Sequence, residues 1–169
     1  MGTESVILSD KEIQMVTFSL GNEEFGIDIL KVHEINRMME LTKVPKAPEF
    51  ILGVINLRGL IIPVVDLKKR FKMENKEPDK KTRIMIIETM EKLICFIVDE
   101  IKEVVRVSYD RIEPPPEIVA GIGCEYLRGV GKVEERLINI LEGSKLFNKE
   151  EMMAFDQVSS LKPEQIVDA

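Results

Sequence analysis

Gly53-Val54-Ile55-Asn56-Leu57-Arg58-Gly59-Leu60-Ile61-Ile62-Pro63-Val64-Val65-Asp66-Leu67 is the stretch on which the fold turns. Two apolar runs, Gly53 to Leu57 and Leu60 to Leu67, meet at Arg58-Gly59. Apolar runs this short, bounded by turn residues, predict strands and not helices. Gly59 lets the backbone turn without a Cβ in the way. Pro63 has no N–H to give to a ladder, so its place inside the second run predicts an edge strand or a bulge.

The same grammar extends in both directions. Upstream, Met15, Val16, Phe18 and Leu20 lead into the turn signal Gly21-Asn22, and Phe25, Ile27 and Ile29 follow it, which predicts a hairpin. Lys31 to Ile35 continues as extended or turning chain, and Pro45 and Pro48 mark a loop. Downstream, Met73 to Lys81 is densely charged and is the best candidate for a boundary. Ile84 to Ile87, Leu93 to Val98 and Val104 to Val107 are again strand-length, and Pro114-Pro115-Pro116 forms a stiff connector. Tyr126 to Val133 and Leu137 to Leu141 close the β part. Asn148 followed by Glu151 reads as a capping box, with Ala154, Phe155, Val158 and Leu161 at helical spacing behind it and Pro163 ending the pattern. Most such helices pack one apolar side on the body of the protein; binding a partner is the rarer use.

The two halves echo each other. Leu57-Arg58-Gly59 recurs as Leu127-Arg128-Gly129, the strand ending at Asp28 is matched by one ending at Asp99, and the turn Asn22-Glu23-Glu24 is matched by Met90-Glu91-Lys92. Short strands in two similar sets predict an all-β fold of two small five-stranded barrels around a shared core, SH3- or OB-like, with a C-terminal helix. The expected division is a tail over 1–13, a first barrel over 14–80, a second over 81–147, and the helix and tail over 148–169, with strands free to cross between barrels. Gly53, Gly59 and Gly129 are the expected turn-formers.

Composition narrows the function. In 169 residues, 24 Lys and Arg stand against 30 Asp and Glu, a net charge of −6, which lowers the prospect of nucleic-acid binding through neutralised phosphates. An oligonucleotide- or ligand-binding barrel stays open as the alternative, because small barrels serve that use. Yet there is no Trp, most aromatics lie in apolar strands, and the best basic run, Lys68-Lys69-Arg70, is short and reads as a solvated face. The longest apolar runs are strand-length, too short to span a bilayer, and residues 1–12 lack the apolar core of a signal peptide, so a cytoplasmic location is expected. Cys95 and Cys124 read as a structural pair or as two core thiols.

Catalytic constellations are hard to assemble. His33 is the only histidine, set in an alternating stretch that suits a surface position, so any Ser-His or Cys-His arrangement would depend on it alone. No phosphate-cradling Gly-x-x-x-x-Gly-Lys loop occurs. The acid pairs Glu23-Glu24, Glu134-Glu135 and Glu150-Glu151 are adjacent, and neighbours on a strand point to opposite faces. No enzyme is expected. Arg58 has two readings: an ordinary exposed turn arginine, or an arginine held out at the rim for a partner, where its planar fork makes several fixed hydrogen bonds.

The quoted stretch resembles the signature of the CheW family of chemotaxis coupling proteins. Phe18-Ser19-Leu20, Phe25-Gly26-Ile27-Asp28-Ile29 and Val32-His33-Glu34-Ile35 resemble that family's opening, while Ile97-Val98-Asp99 and Glu125-Tyr126-Leu127-Arg128-Gly129-Val130-Gly131 resemble its second half. The likeness runs in order over roughly 14–147; Cys95 departs from it, standing where the family often has a small residue. It implies two barrels packed together and an adaptor that joins the cytoplasmic tip of chemoreceptors to the regulatory domain of the histidine kinase CheA, with no cofactor and no metal. It implies a receptor helix hairpin in the groove between barrels, ring-forming contacts within arrays, and recruitment to membrane-associated arrays without insertion. Carried over position by position, Val32, Glu34, Asn56, Arg58 and Ile84 become the receptor-surface candidates, with Asn56 alternatively holding the turn. The related CheV type would need a phosphoacceptor domain after the coupling unit, and only 22 residues follow Phe147 (169 minus 147).

Overall fold

Strand-forming alternation and two-residue turns give thirteen strands in the computed structural model, which describes residues 11–115, 118–119 and 122–161. Side chains are described for 11–115 and 125–161, so Cys124's thiol, Pro116, Pro163 and most of both expected tails lie outside the described residues. The chain runs β1 (Glu12–Leu20), β2 (Glu23–Asp28), β3 (Val32–Arg37), β4 (Ile51–Leu57), β5 (Leu60–Val65), α1 (Leu67–Arg70), β6 (Arg83–Thr89), β7 (Lys92–Val98), β8 (Glu100–Ser108) and β9 (Ile112–Glu113). It continues through β10 (Ile118–Val119), β11 (Ile122–Gly123), β12 (Leu127–Val133), β13 (Arg136–Leu141), α2 (Gly143–Leu146) and α3 (Lys149–Ser159).

Two main sheets result. One has the order β8-β1-β2-β13-β12-β9 and the other β3-β6-β7-β5-β4; β10 and β11 pair separately. The mostly-β class and the C-terminal helix agree with the sequence reading. Closed five-stranded barrels do not: neither ladder bonds its first strand to its last among the described residues, so the units are open sheets of six and five strands. Their edges are drawn together by other means. β8 and β9, the two edges of the larger sheet, are consecutive strands joined through a single helical turn at Tyr109–Arg111. In the smaller sheet Thr42, shortly after edge strand β3, pairs with Val54 of the opposite edge strand β4 through bonds of 2.9 and 2.8 Å.

The sheets share one plan, and strands cross between them. Read from the long edge, β8-β1-β2-β13-β12 matches β3-β6-β7-β5-β4, and each sheet has one parallel pair, β13 with β2 and β5 with β7. β4 and β12 start 76 residues apart (127 minus 51), so that β4-β5-α1 corresponds to β12-β13-α2. The matched Leu-Arg-Gly triplets are not equivalent. Leu57-Arg58-Gly59 forms a hairpin turn, whereas Leu127-Arg128-Gly129 starts a strand. The true counterpart of Gly129 is Gly53.

This explains the three glycines. Only Gly59 forms a turn, at φ +88°. Gly53 and Gly129 lie at equivalent irregularities in β4 and β12, where another backbone presses in: a Cβ on Gly53 would meet the Thr42 carbonyl at 2.7 Å, and one on Gly129 the Glu113 carbonyl at 2.6 Å. Backbone cannot yield as a flexible side chain would. Gly129→Ala is therefore expected to lower stability by about 1–3 kcal/mol, as overpacking does, read as a lower urea midpoint with an unchanged slope.

Pro63 does not mark an edge strand. β5 is an interior strand, and the proline is tolerated because it stands just before Val64 and Val65, where the parallel ladder to β7 is made. The principal core lies between the sheets and includes Phe18, Phe25, Phe71, Phe96, Phe147 and Phe155. Each sheet also encloses a cluster on its other side, Ile55, Ile62, Ile84, Ile86 and Cys95 in the smaller and Met15, Val107, Ile138 and Ile140 in the larger.

Candidate protein-interaction surface

Asn56, Leu57, Arg58, Gly59 and Leu60 shape the tip of the β4–β5 hairpin. Leu57 pairs with Leu60, so the turn has two central residues, Arg58 at φ +51° and Gly59 at +88°. Positive φ at both positions is the type I′ turn that suits hairpin twist, and its first position favours Asn or Gly over a long side chain. Asn56 tightens the turn by accepting the Gly59 N–H on Oδ1 at 2.9 Å. Arginine in the left-handed region is uncommon and costs conformational energy. Its side chain remains 68% exposed.

Arg58 Nη2 donates to Glu34 Oε1 at 2.6 Å. Glu34 is on β3 opposite Ile86, and Asn36, opposite Ile84, donates from Nδ2 to Glu34 Oε2 at 2.6 Å. One carboxylate thus holds both an arginine and an amide. Because β3 and β4 are the two edges of the smaller sheet, the Arg58–Glu34 pair clasps the sheet's open side and adds to the Thr42–Val54 bridge. The hydrogen bonds from Arg58 and then Asn36 lower the Glu34 pKa, although slight desolvation works against them. A carboxylate whose folded pKa is depressed contributes stability above its unfolded value and loses it as pH falls through the folded value. The Glu34 carboxyl is expected to titrate below the usual carboxylate range in a carbon-detected NMR titration. Arg58→Ala should move that midpoint upward.

The sequence candidates divide clearly. Glu34, Asn56 and Arg58 come together around the hairpin tip, and Val32 lies half-buried on the same strand as Glu34, packed toward the core between the sheets. Ile84 is 0% exposed, a core residue beneath β3, so it can support this surface but not touch a partner. Asn56 carries out the turn-holding alternative and is exposed as well. His33 is exposed, with no nucleophile or buried acid bonded to it among the described residues. No group of acidic, histidine and cysteine side chains among the described residues could hold a metal. Cys95 is a free, buried thiol whose pKa burial pushes up to about 12, so it is an inert core group at neutral pH.

The run Lys68-Lys69-Arg70 is not a solvated face, since only Lys69 is exposed. Lys68 is buried and pairs with Asp99 at 2.5 Å. Arg70 lies over the rings of Phe147 at 5.2 Å, Tyr126 at 5.5 Å and Phe50 at 6.0 Å, donates from Nε to the Leu146 carbonyl, and pairs with Glu151. That Glu151 also completes the Asn148 capping box, so Arg70 ties α1 to the start of α3. Burial would raise the Glu151 pKa, but the hydrogen bonds from Arg70 and the Asn148 N–H bring it below its ordinary value. The local signal is Asp66, whose side chain accepts the Lys68 and Lys69 N–H groups and so starts α1.

A family model described as the CheW-like domain matches residues 14–151. The chain belongs to the CheW-like family. Curated relatives named chemotaxis protein CheW include one from Klebsiella aerogenes, 36% identical over 146 residues, covering 86% of this chain and 88% of the relative. Another from Treponema pallidum is 34% identical over 149 residues with the same coverage. The crystal structure of the scaffolding protein TtCheW from Thermoanaerobacter tengcongensis matches with a TM-score of 0.75 at 41% identity, over 80% of this chain and 88% of that one. No helix among the described residues is long and apolar enough to cross a membrane. The CheW-like match spans both sheets and the start of α3, so the Glu34–Arg58 clasp is part of the family domain.

Proposed function

We propose that this CheW-like chain is a non-catalytic adaptor that couples chemoreceptors to the histidine kinase CheA in the cytoplasm, recruited to membrane-associated receptor arrays. The observation that carries the proposal is the match to the CheW-like domain over residues 14–151. We read the chain as a single such domain whose two subdomains are the two sheets. The receptor tip, an α-helical hairpin, meets the side of the smaller sheet that carries Arg58, with Glu34 and Asn56 around it and Val32 close by. An exposed arginine held at a strained turn position supports this role, since such strain is retained where the surroundings impose it for function. The regulatory domain of CheA takes exposed ends of the sheets, and repetition of that contact would build rings. No cofactor is required. The action is positional: holding both partners makes receptor conformation and kinase activity energetically linked.

Calorimetric titration of the chain with the regulatory domain of a CheA kinase, and separately with receptor tips, tests this reading. Saturable binding to both supports it. Absence of binding to either partner would overturn it.

A further inference from the structure

The chain passes from the smaller sheet to the larger at Asp99, the single residue between β7 and β8. Two segments, α1 and the β1–β2 hairpin, converge on it. Lys68, at the start of α1 beneath the smaller sheet, places Nζ 2.5 Å from Asp99 Oδ1. Gly21, in the β1–β2 turn of the larger sheet, donates its N–H to Asp99 Oδ2 at 2.7 Å. The Asp99 N–H itself donates to the Ser19 carbonyl at 3.0 Å. Both charged side chains are at most 10% exposed.

A buried ion pair is a poor way to gain stability, because losing water costs both ions about what their attraction returns. Apolar or neutral groups of similar size often do as well or better, whereas a directional, fully bonded pair restricts how its surroundings can be arranged. Here the surroundings are the two sheets. Apolar contacts between them, centred on Phe18, Phe25, Phe71 and Phe96, hold the sheets together but are not directional. The Asp99 carboxylate bonds one sheet through Gly21 and the other through Lys68, so rotating one sheet on the other breaks one of these bonds.

We propose that Lys68 and Asp99 are positioning residues that set the angle between the two sheets, and so the alignment of the two partner-binding faces. The second half of this statement rests on the adaptor reading; the first does not. The double variant Lys68→Met with Asp99→Asn tests it, since it removes both charges and keeps an oxygen to accept the Gly21 N–H. The variant is expected to fold, with cooperative melting close to that of the native chain. Backbone residual dipolar couplings from the two sheets should fit one alignment frame in the native chain when both sheets are placed as in this structure. In the variant they should require an altered or averaged angle. In reconstituted ternary complexes, receptor control of the kinase should fall about tenfold, within the roughly 5–150-fold range of coupling between sites, while binding to each partner alone changes little. An unchanged inter-sheet angle in the folded variant overturns the proposal. Failure of the variant to fold also overturns it, because the pair would then hold the sheets together and not orient them. The couplings are measured without partners, so failure of the adaptor reading would appear separately, as absence of binding by the native chain.

Discussion

Arg58→Glu is expected to weaken binding to receptor tips by about 30-fold or more, which corresponds to the 2 kcal/mol or larger loss typical of an arginine hot spot. Two effects act together. The substitution removes a guanidinium whose remaining donors face solvent, and it sets a second carboxylate beside Glu34, which now binds the arginine at 2.6 Å. Like charges at this distance repel, so the clasp between β3 and the hairpin tip opens as the contact residue is lost. The turn itself should survive, because Gly59 and the Asn56 bond that closes it are retained. Titration with the kinase regulatory domain is the internal control. Unchanged affinity there, with receptor binding lost, places Arg58 on the receptor side. Equal loss for both partners would mean that the clasp serves the whole smaller sheet. Unchanged affinity for both would return Arg58 to the status of an ordinary turn residue.

Phe155→Ala should be the most destabilising of the substitutions considered, at about 3–5 kcal/mol for a large aromatic removed from a closed core. Phe155 is 1% exposed and meets the edge of Phe147 at 4.9 Å between centroids and of Phe50 at 5.5 Å. Those two rings, with Tyr126, also form the surface on which Arg70 lies. Truncation therefore leaves a cavity and loosens the support of the Arg70–Glu151 pair at the N-terminus of α3. The outer tie, Lys92 to Asp156 at 2.7 Å, is more exposed and cannot compensate. Thermal melting should fall by on the order of 10 °C for a chain of this size. Loss of helical signal before the main transition would show α3 leaving the smaller sheet first. A drop of only a degree or two would mean that the helix adds little to the fold.

Much of this was legible in the chain. Strands and hairpins are local: apolar alternation sets which side of a strand is buried, and Gly21-Asn22, Arg58-Gly59 and Met90-Glu91 mark turns. The α3 capping box is equally local, with both of its bonds made within three residues. The family signature points to Glu34, Asn56 and Arg58, which the fold gathers at the hairpin tip, and the duplicated plan is visible although the Leu-Arg-Gly triplets are not its equivalent positions. Gly129 matched Gly59 as a letter in a triplet but Gly53 in structure, since a glycine can serve a turn or a close backbone approach and the sequence does not distinguish them.

By itself, then, the sequence determined the mostly-β class, the hairpins, the helix cap and the family. Tertiary structure alone decided which strands share a sheet, how far each sheet closes, and what the charged side chains do. The reason is range. Apolar patterning reports burial along one strand, whereas Glu34 with Arg58, Lys68 with Asp99 and Arg70 with Glu151 pair across 24, 31 and 81 residues. A lysine or arginine reads as solvent-facing until the fold brings a carboxylate or an aromatic ring to meet it. Ile84 shows the converse: its family position suggested a surface, and packing beneath β3 put it in the core.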